Sequence, residues 1–509
     1  MLRLLQRRSP LWLLLPLQAA GLLFRLDHLP VWGDELFSLE LAAAPLRQVF
    51  AALATDIHPP LYYLQLSAVD RLSGGAGIAP LRAVSALWTL LLTALFDTLW
   101  LRRLRPAARW TTLTLFALSP FLLLYGRMAR SYTMQAALAL ALVWAYRRWA
   151  LNPEGERRFA RAALAALFAT LLLYTHYAPG IALTGGLLVA YIRSTGPQRA
   201  LGFAAATAVA YAPWLAVLGA ALVRWWEARN LSSGYLLTGS AALEQAVKLA
   251  YAWVSFSIGE SFPAWALALV PVLGVAAALG LRQQWRQDRL LSVCLLLAAA
   301  AGYLGVSRWV SYPFMPARLL WLFPFVALLW GRVLSARPLG VAVFAVAVCA
   351  YGLSARQYFA GTGFLNPGYS APLPAIAASV AREAGPDDLV LIDASNTDGL
   401  TLQRYFGDRV RTLIVHPGTA RQARRRIGAA RHVWMVRNTR DLSPGRLTTL
   451  IEDEACAGRR RSVRGWHPYA GWQRALMPWI GIREAPAHFY QVTACRAVTG
   501  ERFTSPPDR

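Results

Sequence analysis

Lysine is almost missing from this chain: of 509 residues one is Lys, at position 248, and arginine carries nearly all the positive charge. With the abundant alanine, this bias reads as codon usage in a GC-rich genome rather than as function. Acid is scarce too. There are 26 Asp and Glu against 52 Lys and Arg, which leaves a net charge of +26. The four cysteines lie at no metal-ligand spacing. No Gly-rich dinucleotide fingerprint follows the strand-like segment LVLID (389–393), which argues against a nucleotide site.

What the chain has in quantity is apolar surface, and its placement is informative. Apolar runs fill residues 11–355, separated by short Arg-rich breaks; beyond them the chain turns polar and alternating. A soluble protein would not segregate its hydrophobicity in this way. The charge therefore does not point to nucleic acid, since much of the arginine sits in the breaks between apolar runs, where cytoplasmic loops carry it.

The pattern predicts a polytopic α-helical membrane protein with about eleven crossings, near 11–26, 81–101, 110–125, 133–148, 160–176, 179–193, 199–220, 263–281, 290–306, 319–334 and 338–355. An uncleaved first helix fits better than a signal peptide, because further apolar helices follow. The Arg-rich breaks at 102–109, 147–161, 193–199, 282–289 and 332–337 then share a side with the N-terminal arginines, which the positive-inside rule makes cytoplasmic. Residues 59–72 and 243–262 are read as helices against or dipping into the membrane, because a crossing at either would invert every later loop. Residues 1–355 form the membrane domain, with a first outer loop at 27–80, and 356–509 form a C-terminal extracytoplasmic domain. In the latter, LVLID, TLIV (412–415) and HVWMV (432–436) have strand character. TDGLTLQRYF and TARQARRRIG between them have helical spacing, so a small α/β soluble domain is expected. Arg421, Arg424, Arg425 and Arg426 form either a solvated helix face or a contact for anionic headgroups. Cys456 and Cys495 form either a disulfide or two free thiols.

On the outer side the non-topological polar residues gather: WGDELFSLELA (32–42), TDIHPPLYY (55–63), YGRMARSYTMQ (125–135), YTHYAPG (174–180), RWWEARN (224–230) and RWVSYPFMPAR (308–318). Asp34 and Glu35 can take a proton from a hydroxyl or amine, or hold a divalent cation against phosphate; an acidic helix start is the plainer alternative. In Asp56-Ile57-His58-Pro59-Pro60 the prolines pin Asp56 and His58 at a helix start, where anions are favoured. Arg127 and Arg130, three apart, share a helix face if the helix continues, and guanidinium forks match phosphate geometry; snorkelling anchors are the competing role. Tyr132 follows them, and Arg318 and Tyr312 pose the same choice between phosphate contact and interfacial anchor at a later outer loop, while His176 and Tyr177 either line the cavity or form an aromatic belt. Together these groups suit cleavage of a phosphate–carbon ester held by a membrane lipid, with cations stabilising the phosphate leaving group.

WGDELFSLELA followed by DIHPPLYYLQL resembles the first outer loop of bacterial glycosyltransferase family 39-like proteins. These are similar to protein O-mannosyltransferases and lipid A aminoarabinose transferases and have the membrane fold called GT-C. The resemblance covers most of 30–335 and continues in YGRMARSYTMQ, LLLYTHYAPG and PARLLWLFPFVALL. It implies an inverting transfer from a polyprenyl-phosphate sugar to an envelope acceptor (lipid, glycan or protein) at the bacterial plasma membrane. It makes Asp34 the base, with Glu35 beside it, and His58 the phosphate contact where the aminoarabinose transferases have Lys. Those transferases follow the acidic pair with Arg and Tyr, whereas this chain reads Leu-Phe-Ser. A flippase for lipid-linked sugars is the alternative; it needs polar groups along a path across the bilayer, and Asp97 and Arg82 are the few candidates. A third reading is a sensor that uses the soluble domain.

Overall fold

The computed structural model describes residues 9–56, 58–150, 158–228, 241–309, 316–393, 398–438, 446–480 and 487–497. The chain divides into two compact units: residues 1–28 with 37–365, and residues 29–36 with 366–509.

The first unit is helical. Every expected crossing overlaps a helix, from Leu11–Leu23 to Pro338–Ala360, and the two segments read as membrane-surface helices are the helices Pro60–Leu72 and Ala241–Ile258. Five helices among the described residues are long and apolar enough to span a bilayer, and a sixth span arises if the bent pair Pro106–Ala117 and Pro120–Gly126 is one. Shorter apolar helices make up much of the remainder, so length and apolarity alone do not give the eleven expected crossings.

Small residues let these helices close on one another, as packing between membrane helices favours. A Cβ on Gly280 would stand 2.6 Å from the Leu329 carbonyl oxygen, so glycine there lets Leu269–Gln287 meet Phe323–Leu334. An aromatic cluster fills the centre: Phe121 lies 5.0 Å from Phe256, 5.3 Å from Phe323 and 5.1 Å from Tyr125. Two buried charges are locked into this scaffold. Asp97, in the π-helical end of Ile78–Leu101, takes a bidentate Arg109 and the Ser9 hydroxyl. Arg82 donates to the Leu26 carbonyl at 2.7 Å.

The second unit is a five-stranded sheet in the order β2-β1-β3-β5-β4, with β1 Leu389–Asp393, β2 Arg411–Val415, β3 His432–Asn438, β4 Arg459–Pro468 and β5 His488–Ala497. β1 pairs parallel with β2 and β3, while β5 runs antiparallel to β3 and β4. Helices Asp398–Phe406 and Ala420–Ala429 connect the parallel strands where helical spacing was expected. Leu389 and Leu391 of β1 face one core with Met435, Ile427 and Ile451. Val390 and Ile392 alternate to the other face and are equally buried, so both faces are covered. Of the four helix arginines, Arg424 pairs with Glu454 at 2.8 Å and the others are exposed. Cys456 and Cys495 form a disulfide with a Cα separation of 4.8 Å. The segment 29–36 belongs to this unit: the Val31 amide donates to the Tyr405 hydroxyl at 3.1 Å, and Trp32 meets Tyr369 edge-on.

Candidate active site

The double proline organises the first unit's polar cluster. Helix Leu46–Thr55 ends at Asp56 in an extended conformation, and Pro59, also extended, starts the next helix with Pro60 in its first turn. Proline suits that position because the first helical amide has no partner to lose. Within this tight passage His58 Nδ1 lies 2.9 Å from Asp56 Oδ2; Ile57 is outside the described residues. Tyr63, one turn along the new helix, reaches the same place, its ring 5.8 Å from that of His58. The amide of Leu61 donates to the Tyr174 carbonyl at 3.0 Å, which ties this helix start to the turn that carries His176.

Arg130 completes the cluster. Its Nη2 donates to His58 Nε2 at 2.8 Å and its Nη1 to the Tyr63 hydroxyl at 3.0 Å, while the side chain is buried. A guanidinium has no acceptor, so Nε2 must accept, and the imidazole proton sits on Nδ1 facing Asp56. The Arg130 backbone is fixed in turn: Ser85 Oγ donates to its carbonyl at 2.9 Å, which leaves the Tyr62 hydroxyl as donor to Ser85 at 2.6 Å. Tyr132 lies beneath, with its ring 6.0 Å from the Arg130 guanidinium.

His176 caps the helix Tyr177–Thr195. Its Nδ1 accepts from the Ala178 amide at 3.3 Å, so Nε2 carries the proton. The imidazole is buried, and His58, Arg318 and Arg130 lie close enough to act on it electrostatically. That electrostatic reach brings four expected groups into one neighbourhood. Arg318, in the 3₁₀ turn Pro316–Leu322, buries Nη1 with no hydrogen-bond partner among the described residues. A cation in that state is a ready donor for an anion. Tyr177 packs instead, its hydroxyl accepting from Trp214 Nε1; Tyr312 and the segment 229–230 lie outside the described residues.

Arg127 does not join its neighbour. The expected shared face fails because the helix Pro120–Gly126 stops and residues 127–131 turn before Tyr132–Ala150 begins. All five Arg127 donors are consumed: Nε by the Tyr358 hydroxyl, Nη1 by the carbonyls of Gly21 and Leu22, Nη2 by the Arg25 carbonyl and His28 Nδ1. The guanidinium closes the carbonyl end of the helix Leu11–Leu23, whose last groups have no helical partner.

Asp34 and Glu35 occupy the first turn of the helix Gly33–Ala43, with Glu35 buried and Asp34 half-buried. Further along the same helix, the Phe37 ring lies 5.8 Å from that of His58 and 5.6 Å from that of Tyr63. Among the described residues, no group of three or more His, Cys, Asp or Glu gathers that could hold a metal ion.

Glu260 was not singled out by sequence reasoning. It follows the amphipathic helix Ala241–Ile258 and is buried, receiving the hydroxyls of Tyr125 and Tyr251. Burial pushes its carboxyl up to about 7, and the hydroxyls of Tyr125, Tyr251 and Ser255 hold it back. The Tyr125 ring in turn meets Tyr132 at 5.8 Å. A lone acid closing an apolar stretch (SIGESF) was the available signal.

The fold is that of the GT-C membrane glycosyltransferases, and the chain is a multi-pass membrane protein built on it. It is similar to ArnT of Cupriavidus metallidurans bound to undecaprenyl phosphate, with a TM-score of 0.56 and 16% identity over 96% of this chain and 98% of that one. For the same transferase in the apo state the TM-score is 0.54 and the identity 15%, over 85% and 94%. An oligosaccharyltransferase of Archaeoglobus fulgidus, in complex with Zn and sulfate, aligns at 0.51 with 12% identity over 84% and 68%. No protein-family model and no curated protein matches the chain.

Proposed function

We propose that this protein is an inverting glycosyltransferase that moves a sugar from a polyprenyl-phosphate donor to an acceptor of the bacterial cell envelope. The observation that carries the reading is the pair of guanidiniums Arg130 and Arg318, with the neutral His58, around His176, in which Arg318 keeps a buried donor that has no partner among the described residues. ArnT, with the same fold, binds undecaprenyl phosphate. In this reading the donor enters laterally from the bilayer. Arg130, His58 and Arg318 hold its phosphate, while Asp56 sets the His58 tautomer and Tyr132 and His176 line the pocket. An acceptor hydroxyl or amine attacks the anomeric carbon, its proton passes to Asp34, and the carbon–oxygen bond to phosphate breaks with inversion. Glu35 supports Asp34, and Arg127 keeps a positioning role. Polyprenyl phosphate leaves as an anion stabilised by the cations.

In this reading the chain crosses the plasma membrane eleven times with the Arg-rich breaks in the cytoplasm, the cluster and the C-terminal domain are extracytoplasmic, and the disulfide suits that oxidising side. Asp97 and Arg82, the polar groups that a flippase path would need, are committed to structural partners, which favours the enzyme. The test is transfer of radiolabelled sugar from a synthetic polyprenyl-phosphate donor to envelope extract. Donor binding and transfer that are indifferent to Arg130→Gln and Asp34→Asn would overturn the proposal.

A further inference from the structure

A cavity of about 1520 Å³ lies in the first unit, and no residue of the candidate site is among its lining. Its rim is built from the Arg-rich breaks. Arg102, Arg103 and Arg105 follow the helix Ile78–Leu101, Arg147 and Arg148 end the helix Tyr132–Ala150, and Arg161 and Arg332 come from two others. Seven arginines and no carboxylate line it among the described residues. Asp288 pairs with Arg147 at 3.5 Å from outside the lining. Arg332 is steadied by Gln284 and Gln287, neutral groups that leave its charge in place.

The floor is apolar. Leu291, Leu295 and Ala299 descend one helix, and Phe325, Leu328 and Leu329 face them from another. From Leu291 to Ala299 the helix rises about 12 Å, enough for the upper part of an acyl chain. Membrane topology requires arginine in water-facing loops and nothing more. Here two guanidiniums are laid over indoles, Arg147 over Trp100 at 5.5 Å and Arg148 over Trp144 at 5.3 Å, beside an apolar hollow. Like charges gathered at a partly dry site repel, and an anion with a hydrocarbon tail relieves both the charge and the exposed floor. Basic pockets between membrane helices take phospholipid headgroups in this way.

We infer that this cavity is a binding site for an anionic glycerophospholipid, its phosphate held by the arginine rim and an acyl chain along the leucine floor. The site is separate from the proposed transfer chemistry and stands or falls independently of it.

The test uses the full chain, purified in neutral detergent and stripped of lipid. Binding of phosphatidylglycerol, of phosphatidylcholine with the same acyl chains and of inorganic phosphate is measured by native mass spectrometry. Phosphatidylglycerol is expected to bind at least tenfold more tightly than phosphatidylcholine, with no retained phosphate. The triple change Arg102→Gln, Arg103→Gln, Arg148→Gln should erase that preference. Leu295→Trp, which keeps every charge and fills the floor, should weaken phosphatidylglycerol at least tenfold. Equal affinity of wild type for the two lipids overturns the inference without recourse to any variant. Retained binding in Leu295→Trp also overturns it, and points to a charged surface for an acidic protein instead.

Discussion

Arg130 and His58, 72 residues apart in sequence, meet at 2.8 Å, and because the guanidinium can only donate, their contact decides which imidazole nitrogen carries the proton. The same contact, with Tyr63 on the other arm, keeps a buried cation satisfied until an anion replaces these partners. Arg130→Gln should weaken donor binding roughly 10- to 100-fold, since charge-assisted hydrogen bonds contribute about 1.5–3 kcal/mol and each 1.4 kcal/mol is tenfold. Arg130→Lys keeps the charge without the fork and should recover part of the loss. Equilibrium binding of polyprenyl phosphate measures both.

Asp34 is the proposed proton acceptor. Asp34→Asn should lower the transfer rate by roughly 10²- to 10⁴-fold, the usual contribution of a general base. Donor binding and thermal stability should stay as in wild type. Single-turnover transfer with preloaded donor separates the two, and full activity would remove Asp34 from the mechanism.

Arg127 is expected to fail the opposite way. Arg127→Met leaves the carbonyls of Gly21, Leu22 and Arg25 without their donor. The cost should be about 1–3 kcal/mol, the penalty for a buried acceptor left without its donor. Thermal melting in detergent should drop sharply, while transfer per folded molecule is kept. A stable variant with lost donor binding would return Arg127 to the phosphate site.

Glu260 should make stability depend on pH. Its folded-state pKa, about 7, stands above the ordinary carboxyl value of 4.5, so the folded protein binds the proton more tightly. The stabilisation is complete below about pH 4.5, is lost as pH rises toward 7, and is absent above. Melting temperatures across pH 5–8 should therefore fall for wild type and stay flat for Glu260→Gln.

The disulfide closes a 39-residue separation and joins the helix Arg446–Cys456 to β5. Replacing Cys456 and Cys495 together with serine should cost the second unit about 2–4 kcal/mol. Limited proteolysis of the full chain should then cut within 366–509 at lower temperature than in wild type.

Much of the fold was legible before any coordinates. The helices of the first unit lie where apolar runs and Arg-rich breaks put them, and β1 to β3 lie where the period changes to two, because hydropathy and period are local properties. β4 and β5 escaped notice. β4 is an exposed Arg-rich edge strand, so its alternation carries little apolar signal. At the site, the proline pair predicted a helix start just after Asp56 and His58, and the helix Pro60–Leu72 begins there. Arg127 and Arg130 look alike in sequence because spacing alone cannot tell that the helix stops at Gly126 and both arginines lie in a turn.

Sequence by itself therefore determined the membrane class, the order of helical and α/β parts, and a short set of polar residues from which a site could be built. Tertiary structure alone decided which of them meet. Arg127 is tied to Tyr358 across 231 positions and Arg130 to His58 across 72, and no local pattern distinguishes the two. The proton on His58, the open donor on Arg318 and the raised Glu260 likewise depend on which distant groups the packing brings within hydrogen-bond reach, and burial sets the dielectric in which those few contacts act.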